Sequence, residues 1–319
     1  MRQAVIDIGT NTCLLLIAES DHIGEMKVLS DVHSIARLGA GVDKTKHIQP
    51  ESYERLHKIL LEYKKLLEEK KIDAVIAVGT SALRDAVNRD EIAEKIKMEC
   101  GFEVEILSGK DESTWSYHGA MCGIAGEKLR GTIAALDIGG GSTELSVGEN
   151  EKYVSGKSIN IGAVRITERF FLTITEESIA SARECITSEL QKSFTKPILA
   201  RKLIAVAGTP TSLAAIKLRL DSFDAKKING TILTSAELSG IIEQIFQLSP
   251  AELVKKHPAI HSSRADILPA GALILEEVLK HLQLNEVQVS TCGLRYGIII
   301  REFERRMEAK SDEWKIIGE

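Results

Sequence analysis

A glycine-rich stretch near the middle of the chain has the residue types of a phosphate site. From Asp137 to Glu144 it reads DIGGGSTE, with an apolar run before it and an alternating run after it, so we predict strand, turn and strand. Consecutive glycines have no Cβ, so the backbone can approach a ligand closely and several N–H groups can point into one space. Such a concavity of amides suits phosphate oxygens. The predicted phosphate-binding residues are Gly139, Gly140, Gly141 and Ser142.

Two carboxylates stand at the ends of this turn. Asp137 and Glu144 suit a hydrated Mg²⁺ that a phosphate carries, so we predict that both bind magnesium, directly or through water. A tight hairpin that binds no ligand is the alternative, because short glycine motifs have many false positives.

A second, similar stretch opens the chain. Asp7, Ile8 and Gly9 align with Asp137 and its followers, and an apolar run from Leu14 to Ile17 comes after them. An internal repeat at this spacing predicts two similar domains whose hairpins face each other across a cleft. Asp7 thereby joins the predicted magnesium-binding carboxylates. The predicted phosphate-binding residues of this hairpin are Thr10, Asn11 and Thr12.

The elements that must position these hairpins follow from the hydrophobic pattern. Residues 3–8, 13–18 and 25–30 are predicted as antiparallel strands, and Pro50 begins a helix with one apolar stripe that ends near Lys70. Continuous apolar runs at 74–78 and 203–207 predict buried strands, each followed by a turn into a helix. Short turns between the opening strands favour a mixed sheet over an all-parallel one.

The motifs of both hairpins resemble those of a known family. Two Asp-Ile-Gly hairpins resemble those of the actin-like ATPase superfamily. The segments DIGTNTCLLLIAE and DIGGGSTELSVGE resemble motifs of the exopolyphosphatase and guanosine pentaphosphate phosphatase family. Matches in the same order are VGTSALRDA at 78–86, ILSGKDES at 106–113, INIGAVRITERF at 159–170, VAGTPTSLAA at 206–215 and STCGLRYGI at 290–298.

The resemblance implies an α/β fold. We expect two actin-like (ribonuclease H-like) domains, with mixed sheets flanked by helices and an interdomain cleft. Residues 1–128 would form the first domain and 129–299 the second, with a boundary segment between Gly123 and Gly131. The C-terminal helix, at about 300–319, would pack back on the first domain.

Glu112 is the candidate general base. It lies in the first turn of a predicted helix, and a carboxylate beside bound phosphates should have a raised pKa, which makes it a better base for an attacking water. The family's catalytic glutamate also matches Glu112. Asp111 stands where the family usually has Glu, and stabilisation of the helix dipole explains it equally well. Tyr296 stands where Glu is frequent in the family.

Two arginines are candidates for holding the anion. Arg84 follows Thr80 and Ser81 at a predicted helix start and matches the family's phosphate-binding arginine, whose guanidinium can grip a phosphate bidentately. Arg165, after Gly162, is the second candidate, with an ordinary salt bridge as the alternative.

Composition narrows the class of protein. A net charge of −5 over 319 residues argues against a dedicated nucleic-acid binder, so a polyanion site must be local. No apolar run is long enough for a membrane span, and no signal peptide is visible, so we expect a cytoplasmic protein with no membrane partner. The five cysteines show no CxxC pairing and are expected to be reduced. A homodimer is plausible on general grounds.

The predicted function is therefore an exopolyphosphatase. It would hydrolyse terminal phosphates from inorganic polyphosphate, with Mg²⁺ as cofactor and Glu112 as base. Guanosine pentaphosphate (pppGpp) 5′-phosphohydrolase is the nearest alternative, and the short chain favours polyphosphate. An actin-fold kinase, or a non-enzymatic sensor of polyphosphate or guanosine tetraphosphate, would use the same cleft.

Overall fold

Two β-sheets organise the chain. The structure, a computed structural model, describes residues 2–20, 26–124 and 129–316. Residue 25 of the predicted third strand, residues 125–128 of the predicted boundary segment and residues 317–319 of the predicted last helix lie outside the described residues. The predicted division at 128 and 129 stays a prediction.

The first sheet has five strands in the order β3-β2-β1-β4-β5. Its strands are β1 (Arg2–Ile8), β2 (Thr12–Ser20), β3 (Met26–Ile35), β4 (Ala74–Gly79) and β5 (Val104–Ile106). β1 pairs antiparallel with β2 and parallel with β4, so the sheet is mixed as the short turns predicted. Asp7 is the penultimate residue of β1 and lies opposite Leu14 of β2.

The helices around this sheet are α1 (Val42–Thr45), α2 (Pro50–Lys70), α3 (Ser81–Asp85) and α4 (Arg89–Cys100). α2 begins with Pro50, whose fixed φ suits the first helical position. Leu56, Leu60 and Leu67 recur on one face of α2 and are buried in the core of this sheet. The helix predicted from Pro50 to about Lys70 is present at those bounds.

The second sheet repeats this order and adds one strand. It runs β8-β7-β6-β9-β11, with β10 antiparallel at the outer edge. Its strands are β6 (Thr132–Ile138), β7 (Thr143–Glu149), β8 (Lys152–Ile159), β9 (Lys202–Val206), β10 (Ile232–Thr234) and β11 (Glu286–Val289). Asp137 occupies in β6 the position that Asp7 has in β1, and it lies opposite Glu144 of β7.

Eight helices accompany the second sheet between residues 163 and 282. They are α6 (Ala163–Phe170), α7 (Glu176–Ser193), α8 (Gly208–Lys217), α9 (Ala225–Ile228), α10 (Ser235–Phe246), α11 (Pro250–Lys256), α12 (Ser262–Ala265) and α13 (Leu268–Leu282). α13 is buried on almost every side, so it is the centre of this core. The sequence did not predict α9 or β10, each of which has at most four residues.

Two long helices cross between the sheets. α5 (Gly109–Gly123) starts beyond β5 but buries Tyr117 and Ala120 against strands of the second sheet. α14 (Leu294–Ile316) starts beyond β11 but buries Ile298 and Ile299 against the first sheet. Because each helix leaves one sheet and packs on the other, the crossing joins the two halves of the molecule.

The crossing helices touch through their backbones. A Cβ on Gly119 would lie 2.0 Å from the carbonyl oxygen of Gly293, and a Cβ on Gly297 would lie 1.8 Å from that of Trp115. Only glycine permits so close an approach at these positions. Farther along α14, Arg301 donates two hydrogen bonds to Glu105 at 2.8 and 2.7 Å. No helix in the described part of the chain is long and apolar enough to cross a membrane.

Candidate functional site

A cavity of about 760 Å³ lies between the two sheets, where β1 and β6 end. Its wall includes most of the predicted site. The predicted residues that line it are Asp7, Thr10, Asn11, Thr12, Glu112, Asp137, Gly139, Gly140, Gly141 and Ser142. Arg84, Glu144 and Arg165 are absent from this lining. The fold therefore brings both hairpins and the candidate base to one space.

The two turns close in the same way. The N–H of Gly9 donates to the carbonyl oxygen of Thr12 at 2.9 Å, and the N–H of Gly139 donates to that of Ser142 at 3.0 Å. A Cβ on either glycine would lie within 3.0 Å of the carbonyl oxygen that the N–H of that glycine binds, so each turn needs glycine at its first position. The repeat seen in the sequence is thus a repeat of backbone geometry.

The second turn presents a row of free amides. The carbonyls of Gly139 and Gly140 accept hydrogen bonds from the backbone of α6 at 2.8–3.1 Å, and that of Gly141 accepts from Nε of Arg165 at 2.7 Å. In a trans peptide the N–H points opposite to the preceding carbonyl. The N–H groups of Gly140, Gly141 and Ser142 therefore point away from α6, and they have no hydrogen-bond partner among the described residues. We call these three groups the amide nest, an arrangement that binds anions.

α6 can approach the turn because Gly162 precedes it. A Cβ on Gly162 would lie 2.4 Å from the carbonyl oxygen of Gly140, so a larger residue would push the helix away. The glycine is therefore what allows α6 to orient the nest.

The tip of the first turn meets the nest. A Cβ on Gly140 would lie 2.9 Å from Cβ of Thr10, and a Cβ on Gly141 would lie 2.9 Å from the Thr10 hydroxyl. The same position on Gly141 is 2.5 Å from Oγ of Ser81, at the start of α3. The two hairpins are in contact, with glycine on one side and a threonine side chain on the other.

Asp7 carries a carboxylate without a counter-charge in direct contact. The residue is partly buried, and its Oδ1, which solvent does not reach, has no hydrogen-bond partner in the described part of the chain. Burial raises the pKa of Asp7 to about 7, and nearby Asp137 adds to the rise while Arg295 opposes it. Burial likewise raises the pKa of Asp137, whose Oδ2 accepts a hydrogen bond from Ser116 at 2.7 Å.

Glu144 lies behind this pair, outside the cavity wall. The hydroxyls of Ser142 and Ser158 both donate to its Oε1, at 2.7 and 2.6 Å. Burial first, and then Asp137, raise the pKa of Glu144 to about 7. The predicted third magnesium ligand is thus held by protein hydroxyls.

Glu112 and Arg84 are paired. Nη1 of Arg84 donates to Oε2 of Glu112 at 2.5 Å, and Nη2 donates to Ser158 at 3.3 Å. Glu112 is only 6% exposed and reaches the cavity, whereas Arg84 stands behind it. Burial and Glu144 raise the pKa of Glu112 well above its usual value, although Arg84 opposes the rise. The candidate base therefore has an elevated affinity for protons before any substrate binds.

The acids suit a cation bound mainly through water. In the ranges 2–20, 26–124 and 129–316, no three His, Cys, Asp or Glu side chains form a cluster that could hold a metal. Oδ1 of Asp7 nevertheless has no hydrogen-bond partner among the described residues, so it is open to a cation or to the water that a cation carries. Mg²⁺ keeps several waters and takes one or two carboxylates together with substrate phosphates, which fits Asp7 and Asp137.

Arg264 is a cavity residue that the sequence analysis missed. Its guanidinium packs over Gly208, where an added Cβ would lie 1.6 Å from Nη1. Its side chain has no ion pair or hydrogen bond to any residue that the structure describes, and burial lowers its pKa. No motif in the sequence indicated Arg264, because its place depends on how α12 packs beside α8. Arg295 also lines the cavity but is paired with Asp31.

One wall of the cavity is apolar. Phe223 is 50% exposed, and its ring centroid lies 6.2 Å from that of His33 on β3. Ile35, Pro258 and Ile267 line the same cavity. This region could contact an uncharged part of a ligand.

Comparisons with known proteins identify the family of this chain. The profile of the Ppx/GppA phosphatase family matches residues 16–306. Exopolyphosphatase 2 of Mycobacterium tuberculosis is 33% identical over 317 residues, which cover 94% of this chain and 98% of that protein. The bifunctional 3-dehydroquinate synthase/phosphatase of Fusobacterium nucleatum is 31% identical over 95% of this chain. This chain spans 47%, about half, of the length of that relative.

Solved structures show the same architecture. The Aquifex aeolicus member of the Ppx/GppA family has a TM-score of 0.81 at 31% identity, covering 96% of this chain and 98% of that one. An exopolyphosphatase from Cytophaga hutchinsonii has a TM-score of 0.86 at 27% identity, covering 95% and 98%. The predicted fold class, two actin-like α/β units with mixed sheets flanked by helices, is confirmed, and the chain belongs to the Ppx/GppA phosphatase family.

Proposed function

We propose that this chain is an exopolyphosphatase that removes terminal phosphates from inorganic polyphosphate. The observation that carries the proposal is the amide nest, which faces a cavity with Glu112 on its wall. Amides bind phosphate oxygens, and a carboxylate with a raised pKa can take a proton from water. The names of two relatives, exopolyphosphatases from Mycobacterium tuberculosis and Cytophaga hutchinsonii, support the same substrate.

In the proposed reaction, Glu112 accepts a proton from a water molecule. The water oxygen bonds to the terminal phosphorus, and the bond from that phosphorus to the bridging oxygen breaks. The products are orthophosphate and a chain shorter by one phosphate. The amide nest and the Thr10 hydroxyl hold the oxygens on which negative charge develops, and Arg264 offers a cation to the rest of the chain. Arg84 keeps Glu112 oriented.

Magnesium belongs to this proposal. Asp7 and Asp137 would hold it, directly or through water, with Glu144 as a more distant carboxylate. Bound there, Mg²⁺ would neutralise part of the charge of the phosphates. The proposed setting is the cytoplasm, which suits a chain whose five cysteines are unpaired.

The test is phosphate release measured side by side on long-chain polyphosphate, guanosine pentaphosphate and ATP, with and without Mg²⁺. We expect the highest kcat/KM on polyphosphate and dependence on Mg²⁺. A protein that binds polyphosphate tightly and releases no phosphate would be a sensor, and formation of ADP only with an acceptor would indicate a kinase. Either result contradicts the proposal.

The second candidate substrate is guanosine pentaphosphate. The half-exposed ring of Phe223 favours it, because a bare phosphate chain has no apolar part to cover that ring. If it is the preferred substrate, Phe223→Ala should raise KM for guanosine pentaphosphate and leave KM for polyphosphate unchanged.

A further inference from the structure

Arg165 lies near the cavity but does not line it. Its side chain makes several hydrogen bonds to other residues. It is 6% exposed. Its Nε donates to the carbonyl oxygen of Gly141 at 2.7 Å, Nη1 donates to Asp43, and Nη2 donates to Asp85 at 2.5 Å. Each of its three nitrogens therefore has a protein acceptor, and these bonds hold the guanidinium against the Gly141 turn and the two aspartates.

The partners of Arg165 belong to both halves of the molecule. Gly141 is in the turn between β6 and β7 of the second sheet, whereas Asp85 ends α3 beside the first sheet. Asp85 directly follows Arg84, which holds Glu112. One guanidinium therefore connects the amide nest to the helix that orients the candidate base.

Asp43 strengthens the connection from a second direction. Arg169, one turn farther along α6, donates to both carboxylate oxygens of Asp43 at 2.6 and 2.9 Å. The carboxylate of Glu168 accepts a hydrogen bond from the backbone of Gly41 at 2.9 Å. Consecutive turns of α6 are thus bound to α1 and the residue before it.

We propose that Arg165 is a positioning residue, which fixes the amide nest relative to Glu112 by bonding the Gly141 carbonyl and the first half of the molecule at once. The inference rests on the proposed function, and it replaces the expectation that Arg165 binds phosphate. The bond to Gly141 fixes the peptide that carries the Ser142 N–H, so it sets the direction of one amide of the nest. The bond to Asp43 fixes the distance from the nest to α1, and the bond to Asp85 fixes its distance to α3.

Lysine cannot replace this arginine. An ammonium is a compact charge without the planar fork that reaches a carbonyl and two carboxylates in different directions. Arg165→Lys should therefore behave more like Arg165→Met than like the wild type, whereas a site that needed only positive charge would be rescued by lysine.

The kinetic test compares Arg165→Met, Arg165→Lys and Asp85→Asn. Arg183→Met is the matched control, because Arg183 also donates to two carboxylates, Glu276 and Glu277, but lies away from the cavity. For Arg165→Met we expect kcat on polyphosphate to fall by about 100-fold, the usual effect of a misplaced catalytic group. Asp85→Asn, which keeps the bond to Gly141, should lose about tenfold. Arg183→Met should keep kcat within about twofold while losing comparable thermal stability.

A second readout is independent of the substrate. The backbone amides of Ala163 and Val164 donate to Gly139 and Gly140, so their hydrogen-exchange rates report how firmly the turn is held. We expect these rates to rise at least about tenfold in Arg165→Met and to stay unchanged in Arg183→Met. Unchanged exchange in Arg165→Met, or equal kinetic losses in Arg165→Met and Arg183→Met, would overturn the inference. If the wild type released no phosphate from polyphosphate, the proposed function would fail, and the exchange experiment would still test Arg165.

Discussion

The two hairpins share a backbone and differ in what they present to the cavity. Both turns are closed by a glycine N–H that donates to the carbonyl three residues on. The second turn continues with glycines and offers bare amides, whereas the first continues with Thr10, Asn11 and Thr12 and offers side chains. Opposite the matched aspartates, the first hairpin has Leu14 and the second has Glu144.

This difference indicates a division of roles between duplicated units. Glycine at the second tip makes room for Thr10 of the first tip, so the hairpins fit together because they are not identical. The additional carboxylate beside Asp137 concentrates negative charge around the second hairpin, where Glu112 also lies. Glu144 therefore adds to the effect of burial in raising the pKa of Glu112, and this addition follows from the asymmetry between the hairpins.

The largest expected effect comes from the acid beside the second hairpin. Glu112→Gln keeps the size of the side chain and an oxygen for Arg84 but cannot accept the proton of water. We expect kcat on polyphosphate to fall by about 10²–10⁴-fold, the usual contribution of a general base. Asp111→Asn is the control, because Asp111 is exposed and interacts with Ser108 at the start of α5. Near wild-type phosphate release by Glu112→Gln would refute this assignment.

The next prediction compares the bare amides of the second turn with the side chains of the first turn. In Gly141→Ala the new Cβ would lie 2.5 Å from Oγ of Ser81 and 2.9 Å from the Thr10 hydroxyl, so the nest must move away from α3 and from the first tip. We expect kcat/KM to fall by about 100-fold. In Thr10→Val a methyl group of similar size replaces only the hydroxyl, so we expect about a fivefold loss, equivalent to one hydrogen bond. Equal losses in steady-state assays of the two variants would mean that the tips do not differ in role.

A third effect concerns stability and pH. The folded-state pKa of Glu144 is about 7, above its ordinary 4.5, so the folded protein binds this proton more tightly than the unfolded chain does. The resulting stabilisation is complete below about pH 4.5 and is lost as the pH rises through about 7. Thermal unfolding of Glu144→Gln should therefore show a larger gain in Tm over the wild type at about pH 8 than at about pH 5. A constant difference would contradict the raised pKa. Asp90→Asn, at an exposed position, is the control.

The smallest expected effect is a shift of Tm by magnesium. If Asp7 contributes to cation binding, millimolar Mg²⁺ should raise the Tm of the wild type by a few degrees at about pH 8, where its carboxylate is charged. Asp7→Asn should lose this shift, because an amide is neutral. An equal shift in both proteins would place the cation elsewhere.

Much of the fold could be predicted because local patterns specify it. The hairpins, the helix from Pro50 and the buried strands each carry their own signal of glycine placement, apolar stripe or apolar run. The repeat also predicted that Asp7 and Asp137 would line one cavity, because equivalent positions in paired units face the same cleft. The crossing of α5 to the second sheet has no such local signal, since its neighbours are chosen by packing.

The partners of charged residues could not be predicted. Arg84, Arg165 and Arg264 look alike in the sequence. Arg84 holds Glu112, Arg165 bonds a carbonyl and two aspartates, and the Arg264 guanidinium lies in the cavity with no partner among the residues that the structure describes. A guanidinium can satisfy its donors with any nearby oxygen, so its role depends on which elements the fold brings within reach. That information lies in contacts across long stretches of chain.

The glycine contacts where α5 crosses α14 fix how closely the two helices approach each other. Because backbone meets backbone at Gly119 and Gly297, no flexible side chain there could yield to an added Cβ. A substitution at Gly119 would therefore press directly on Gly293, which lines the cavity, so a change on the buried side of α5 would reach the wall of the site.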